Sequence, residues 1–190
     1  MQAELSEILR HFRVSQFNSA DYINFKREVA RAIQPRSILE IGIGMGVAAL
    51  AFLEASPFGA TYTGIDNDYE YEKKFSVRPT DYVRDLLGNA GYHTDIVVAD
   101  SSALTELPAR WYDLAHIDGD HREPAVRHDV TLAWQAGSKW ILCDDARDTE
   151  VVRGIFNALH DLNRGSVDWA YFPQGSGNIL IRTDHKRGEL

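Results

Sequence analysis

Short apolar runs alternate with longer amphipathic stretches along most of this chain. Ser37-Ile38-Leu39-Glu40-Ile41-Gly42 is set off by Pro35 and closed by glycine, the pattern of a buried strand. The runs 61–66, 94–100, 112–118 and 139–145 repeat that pattern. Between them, 47–55, 80–90, 124–135 and 149–163 carry helical patterning. Pro124 stands at a first-turn position and Gly137 lies just past the last turn, the usual punctuation of a helix. Asp148 and Glu150 open the last helix, and Arg164-Gly165 closes it. Strands alternating with helices predict right-handed βαβ units and a parallel sheet covered on both faces. The tail departs from this rhythm. Two strand-like runs, 167–172 and 178–183, are joined by Pro173-Gln174-Gly175-Ser176-Gly177, which predicts a hairpin and an antiparallel end to the sheet.

Composition narrows what such a domain can do. The length of 190 residues predicts one domain, with 1–35 a helical N-terminal extension and 36–183 the core. The net charge of −8 disfavours nucleic acid as the main substrate, because phosphate contacts are made by Lys and Arg. The one cysteine, Cys143, excludes an internal disulfide framework and a multi-cysteine metal site. No apolar run approaches the roughly 20 residues of a membrane helix. Residues 1–13 mix charges with Leu and Ile, unlike a secretory signal. A soluble, cytoplasmic protein that acts on a small molecule is the expectation.

The strand ends carry the chemistry. The second, third, fourth and fifth strands end in Asp66, Asp100, Asp118 and Asp144-Asp145, and the first ends in Gly42-Ile43-Gly44-Met45-Gly46. In an open α/β sheet, ligands bind outside the carboxyl ends of the strands. Each acid has a plain alternative as a helix cap. Together, however, they repel one another along one edge unless a ligand or cation offsets them. Gly42, Gly44 and Gly46 let the backbone turn sharply and approach a ligand, although tight packing alone asks for the same residues. A dinucleotide fingerprint wants its third glycine at position 47, which is Val47, and this argues against NAD. Asp66 is placed to accept hydrogen bonds from ribose hydroxyls, and Asp100-Ser101 to meet an adenine edge. Glu40 adds negative charge beside the glycines, which suits a cationic ligand better than a pyrophosphate.

Leu39-Glu40-Ile41-Gly42-Ile43-Gly44-Met45-Gly46, Gly64-Ile65-Asp66 and Val98-Ala99-Asp100-Ser101, in that order and spacing, resemble the class I S-adenosylmethionine-dependent methyltransferases. The resemblance covers residues 36–183 and implies a Rossmann-like, doubly wound sheet whose last strand is antiparallel. It implies that Glu40, Gly42, Gly44 and Gly46 lie by the methionine part of the cofactor. Asp66 would hold its ribose, and Asp100 with Ser101 its adenine.

Asp113 to His121 reads Asp-Leu-Ala-His-Ile-Asp-Gly-Asp-His and resembles the IDGDH segment of small metal-dependent O-methyltransferases of catechol, cephalosporin and macrolide-sugar type. That resemblance implies a divalent-cation site at Asp118, Asp144 and Asp145. Neighbouring strands lie about 4.8 Å apart, so these carboxylates can converge on one hard ion, Mg²⁺ or Mn²⁺. It also implies His121 as general base for a hydroxyl of a diol, catechol or sugar. The plain alternatives are solvated strand ends for the acids and a turn residue for His121. Asp120 either orients His121 or faces water. His116 and Cys143, inside strands, are expected in the core. The stretch from Tyr69 to Arg78 is either a lid or a solvated helix start, and Lys73-Lys74 a solvated pair. Ala146-Arg147-Asp148 is placed to touch substrate. Trp134, Trp140 and Trp169 leave room for a homo-oligomer. Two other functions stay open, a metal-independent N- or O-methyltransferase and a non-catalytic S-adenosylmethionine-binding module.

Overall fold

The computed structural model describes residues 19–69, 72–73, 77–107, 111–163 and 167–185. Helix α1 (Ser19–Ile33) leads into β1 (Ser37–Ile41), α2 (Val47–Ala55), β2 (Thr61–Asp66), α3 (Pro79–Asn89) and β3 (His93–Val98). After a 3₁₀ turn (Ser101–Ala103) follow β4 (Leu114–Ile117), α4 (Glu123–Gln135), β5 (Trp140–Cys143) and α5 (Thr149–Asp161). Strands β6 (Asp168–Phe172) and β7 (Asn178–Arg182) end the fold. The sheet has seven strands in the order β3-β2-β1-β4-β5-β7-β6. All neighbours are parallel except β5–β7 and β6–β7. This is the Rossmann-like sheet with an antiparallel end that the alternation of runs predicts. None of the described helices is long and apolar enough to cross a membrane.

Period-two alternation splits the apolar residues between two cores, one on each face. Leu39, Ile41, Ala115, Ile117, Ile141 and Cys143 pack with Val126, Val130, Ile155 and Ala158 of α4 and α5. Ile38, Leu114 and Leu142 pack with α1, α2 and Val83 and Leu87 of α3. Helix α2 is apolar nearly all round, and its residues 48–53 are all buried. It lies between the sheet and α1, which is why it carries no polar stripe. Trp134 is buried and stacks near His185, so it supplies no association surface, whereas Trp169 is exposed on β6.

One polar group sits badly in this packing. Asp129 of α4 is buried and makes no hydrogen bond of ordinary length among the described residues. Burial pushes its carboxyl up to about 6, against the pull of Ser101 and His128. A folded-state value above the unfolded one, about 3.9, means that the native state holds the proton longer as pH rises. The stability this confers is present below about pH 4 and is lost through pH 6, by roughly 3 kcal/mol. Asp129→Asn should therefore match the wild type near pH 3.5 and exceed it at pH 8. Urea midpoints at both pH values check this, and a constant gap between the two proteins would refute it.

Candidate active site

The first acids meet the glycine loop as the sheet order dictates. Gly42 has φ +85°, and its amide donates to the Ile65 carbonyl at 2.9 Å. A Cβ there would stand 2.2 Å from the Asp118 carbonyl oxygen. The glycine loop therefore lies directly against the turn that carries Asp118. Asp66 accepts from the Ile43 amide at 2.9 Å and the Gly44 amide at 3.2 Å, so it fastens the loop. Gly46, also at positive φ, precedes α2. Asp100 lies two residues beyond the end of β3, is exposed, and caps the 3₁₀ turn by accepting from the Ser102 amide and hydroxyl.

Strand register sets a polar row on the α1/α2 face. Glu40 lies beside His116, Asp144 follows the end of β5, and Asn178 opens β7. Glu40 is 1% exposed, so it lies below the surface of the glycine loop. Its Oε1 lies 2.8 Å from His116 Nδ1, and its Oε2 accepts from the Tyr62 hydroxyl. Gly64 makes room for that ring, since a Cβ there would stand 2.8 Å from Tyr62 Cε1. Burial pushes the Glu40 carboxyl up to about 8. His116 is buried, as expected of a strand residue, and burial together with Lys26 holds its pKa well below the usual imidazole value. It is therefore neutral, with its proton on Nδ1 toward Glu40, because Nε2 faces an ammonium.

That ammonium belongs to Lys26 of α1, fully buried and 3.0 Å from Asp144 Oδ2. Burial is the largest single influence and would raise Asp144, but the charge and hydrogen bond of Lys26, with smaller help from its other neighbours such as the Asp145 amide, together hold the carboxyl at about 2. Oδ1 of Asp144 accepts from the Ser176 hydroxyl at 2.8 Å and from the Asp145 amide at 2.9 Å. Tyr22, one turn before Lys26, donates to Asp118 Oδ2 at 3.2 Å. Lys26, Tyr22 and Tyr62 lay beyond the sequence reading. A single lysine on the apolar stripe formed by Ile23, Val29 and Ala30 was the legible signal.

Asp118, His121 and Asp145 meet on the outer side. His121 Nε2 lies 2.9 Å from Asp145 Oδ2 and 3.9 Å from Asp118 Oδ1. The histidine side chain is 46% exposed and the two carboxylates are partly open. The hydrogen bond to Asp145 raises His121 to about 9. Burial, then Asp144, pushes Asp118 well above the usual carboxylate value. One ligand atom from each of these three lies within 4.8 Å of the others, and His116, Asp118 and Asp144 form a second such group. Oxygen-rich and partly open, the outer donors suit a hard divalent cation with water in its remaining positions. Asp144 adjoins them with both oxygens already hydrogen-bonded.

Other expectations resolve individually. Asp120 pairs with Arg122 and does not orient His121. Arg147 is exposed and donates to the Pro173 carbonyl, and Asp148 caps α5. Cys143 is buried, and burial pushes its thiol up. Half of the Tyr69–Arg78 stretch, including Lys74, lies outside the described residues.

The family model described as a methyltransferase domain matches residues 39–146, from β1 through the acids that follow β5. The chain belongs to the methyltransferase-domain family. Its fold is that of the class I S-adenosylmethionine-dependent methyltransferases, and solved structures agree. The methyltransferase is similar to an O-methyltransferase from Streptomyces achromogenes involved in tomaymycin synthesis, in complex with S-adenosylmethionine. That match has TM-score 0.66 and 19% identity, over 95% of this chain and 89% of that one. It is also similar to a Bacillus cereus O-methyltransferase in complex with S-adenosylhomocysteine. There the TM-score is 0.63 and the identity 15%, over 95% and 91% of the chains. A methyltransferase from Geobacter sulfurreducens gives TM-score 0.65 and 20% identity, over 95% and 87%. No curated protein matches the chain.

Proposed function

We propose that this methyltransferase transfers a methyl group from S-adenosylmethionine to a hydroxyl of a small molecule, with a divalent cation at its acidic centre. One observation carries the reading. Asp118, Asp145 and a half-exposed His121 converge beside the glycine loop, at the edge where the fold places its cofactor. Two of the similar structures are O-methyltransferases, which supports oxygen as the acceptor.

Gly42, Gly44 and Gly46 with Glu40 beneath them form the floor for the methionine part. Asp66 lies at the ribose, and Asp100 and Ser101 at the adenine edge. Asp118 and Asp145 would hold Mg²⁺ or Mn²⁺ through their open oxygens, while Asp144 is held beside them by Lys26, Ser176 and the Asp145 amide. When bound, the ion supplies Lewis-acid activation of the substrate hydroxyl and fixes it in line with the methyl donor. A diol, catechol or sugar hydroxyl pair matches that arrangement because two oxygens can chelate one ion. His121 takes the hydroxyl proton on Nε2. Without a cation the two carboxylates hold this imidazole protonated at neutral pH. Neutralising them lowers its pKa toward the working range of a base.

Methyl transfer from labelled S-adenosylmethionine to a panel of catechols and sugar diols should require Mg²⁺ or Mn²⁺ and stop with chelator. His121→Ala should lower kcat by about 10²-fold and leave S-adenosylmethionine binding intact. Equal turnover in chelator would overturn the metal assignment, and ligand binding without turnover on any acceptor would overturn the enzymatic one.

A further inference from the structure

Lys26 enters the acidic centre from α1, outside the sheet. Its ammonium offers three hydrogens and has three acceptors, His116 Nε2 at 2.9 Å, Asp144 Oδ2 at 3.0 Å and Asn178 Oδ1 at 2.8 Å. The Tyr22 ring, 4.8 Å from Nζ, covers a further side. His116, Asp118 and Asp144 would form a donor group for a metal ion if the lysine were absent. Asp118 is shared with the outer group of His121 and Asp145. Two adjoining cation positions thus have one carboxylate in common, and a side chain already fills the inner one.

We propose that Lys26 is a positioning residue whose ammonium is a built-in cation, filling the inner position between His116 and Asp144 and confining a divalent ion to the outer position at Asp118 and Asp145, beside His121. A divalent ion in the inner position would stand against the ammonium at about the 3 Å hydrogen-bond separation, and like-charge repulsion there excludes it. A tethered charge also cannot dissociate when the outer ion does, so Asp144 and the α1 helix keep their places through ion exchange. The proposal rests on the divalent-cation reading for the outer position only.

Mn²⁺ uptake, counted by the electron paramagnetic resonance of the free ion, tests it. The wild type should bind one ion per chain and Lys26→Ala two. Lys26→Ala/His116→Ala should return to one, because the inner position loses its nitrogen donor. Propylammonium, which replaces the deleted stem and charge, should compete with the second ion in Lys26→Ala. Circular dichroism reports folding in each case. A folded Lys26→Ala that binds as many ions as the wild type overturns the proposal. So does one that stays unfolded in saturating Mn²⁺, since an inner ion would restore the missing charge. If the wild type binds none and Lys26→Ala one, the outer assignment fails and the inner one stands.

Discussion

Asp118→Asn should lower methyl transfer by about 10²–10⁴-fold and erase its response to Mg²⁺. A bound cation contributes several kcal/mol to such a step, and each 1.36 kcal/mol is tenfold in rate. Asp118 belongs to both donor groups of the acidic centre, so no neighbouring carboxylate replaces it. Stability should move the other way. Burial and the negative charge of Asp144 disfavour an ionised carboxylate at this position, and asparagine relieves both while still accepting from Tyr22. The variant should thus melt at or above the wild-type temperature while losing activity, the trade common at strained functional sites. Kinetics and thermal unfolding on one preparation decide it. Full activity, or inactivity that merely follows unfolding, would sink the assigned role.

Gly42→Ala should cost about 2–5 kcal/mol, the sum of a left-handed backbone penalty and overpacking. Its new Cβ would stand 2.2 Å from the Asp118 carbonyl oxygen and 2.6 Å from the Gly119 Cα. Neither side can yield easily, because the Gly42 amide bonds to Ile65 and the Asp118 amide to Ile41, each at 2.9 Å. Gly59 supplies the internal control. It has φ +81°, yet a Cβ there would meet nothing within 4 Å. Gly59→Ala should therefore cost only the backbone penalty, about 1–2 kcal/mol. Denaturant midpoints for the two variants should differ clearly. If they coincide, conformation alone and not the contact with the Asp118 turn explains the glycine.

The sheet was readable because the apolar runs are short, glycine-bounded and regularly spaced, and only their ends were misjudged. The third run was expected to reach Asp100, but β3 stops at Val98 because Asp100 turns to cap Ser102. Parallel register fixes which strand ends are neighbours, and it sets Asp118 and Asp145 within reach of His121. Glu40 was assigned to the cofactor from its place beside the glycines. Sequence spacing has no means of showing that its side chain points beneath the loop toward Tyr62 and His116. The role of Lys26, unlike its burial, was illegible for a related reason. Its partners lie 90, 118 and 152 residues away, and they meet only because α1 folds back over the sheet.

The position of β7 has a consequence for how the protein is made. This strand is inserted between β5 and β6, so β6 can join the sheet only through it. Asn178, which completes the acceptors of Lys26, and Ser176, which fixes Asp144, both lie at its leading end. During synthesis the helices and parallel strands emerge first and can begin to pack, yet Lys26 and Asp144 lack these partners until the hairpin arrives. Closing contacts of such long sequence separation is slow. The acidic centre is thus the last part of the enzyme to mature, and a nascent chain holds its cofactor edge before it can hold its acidic centre in working order.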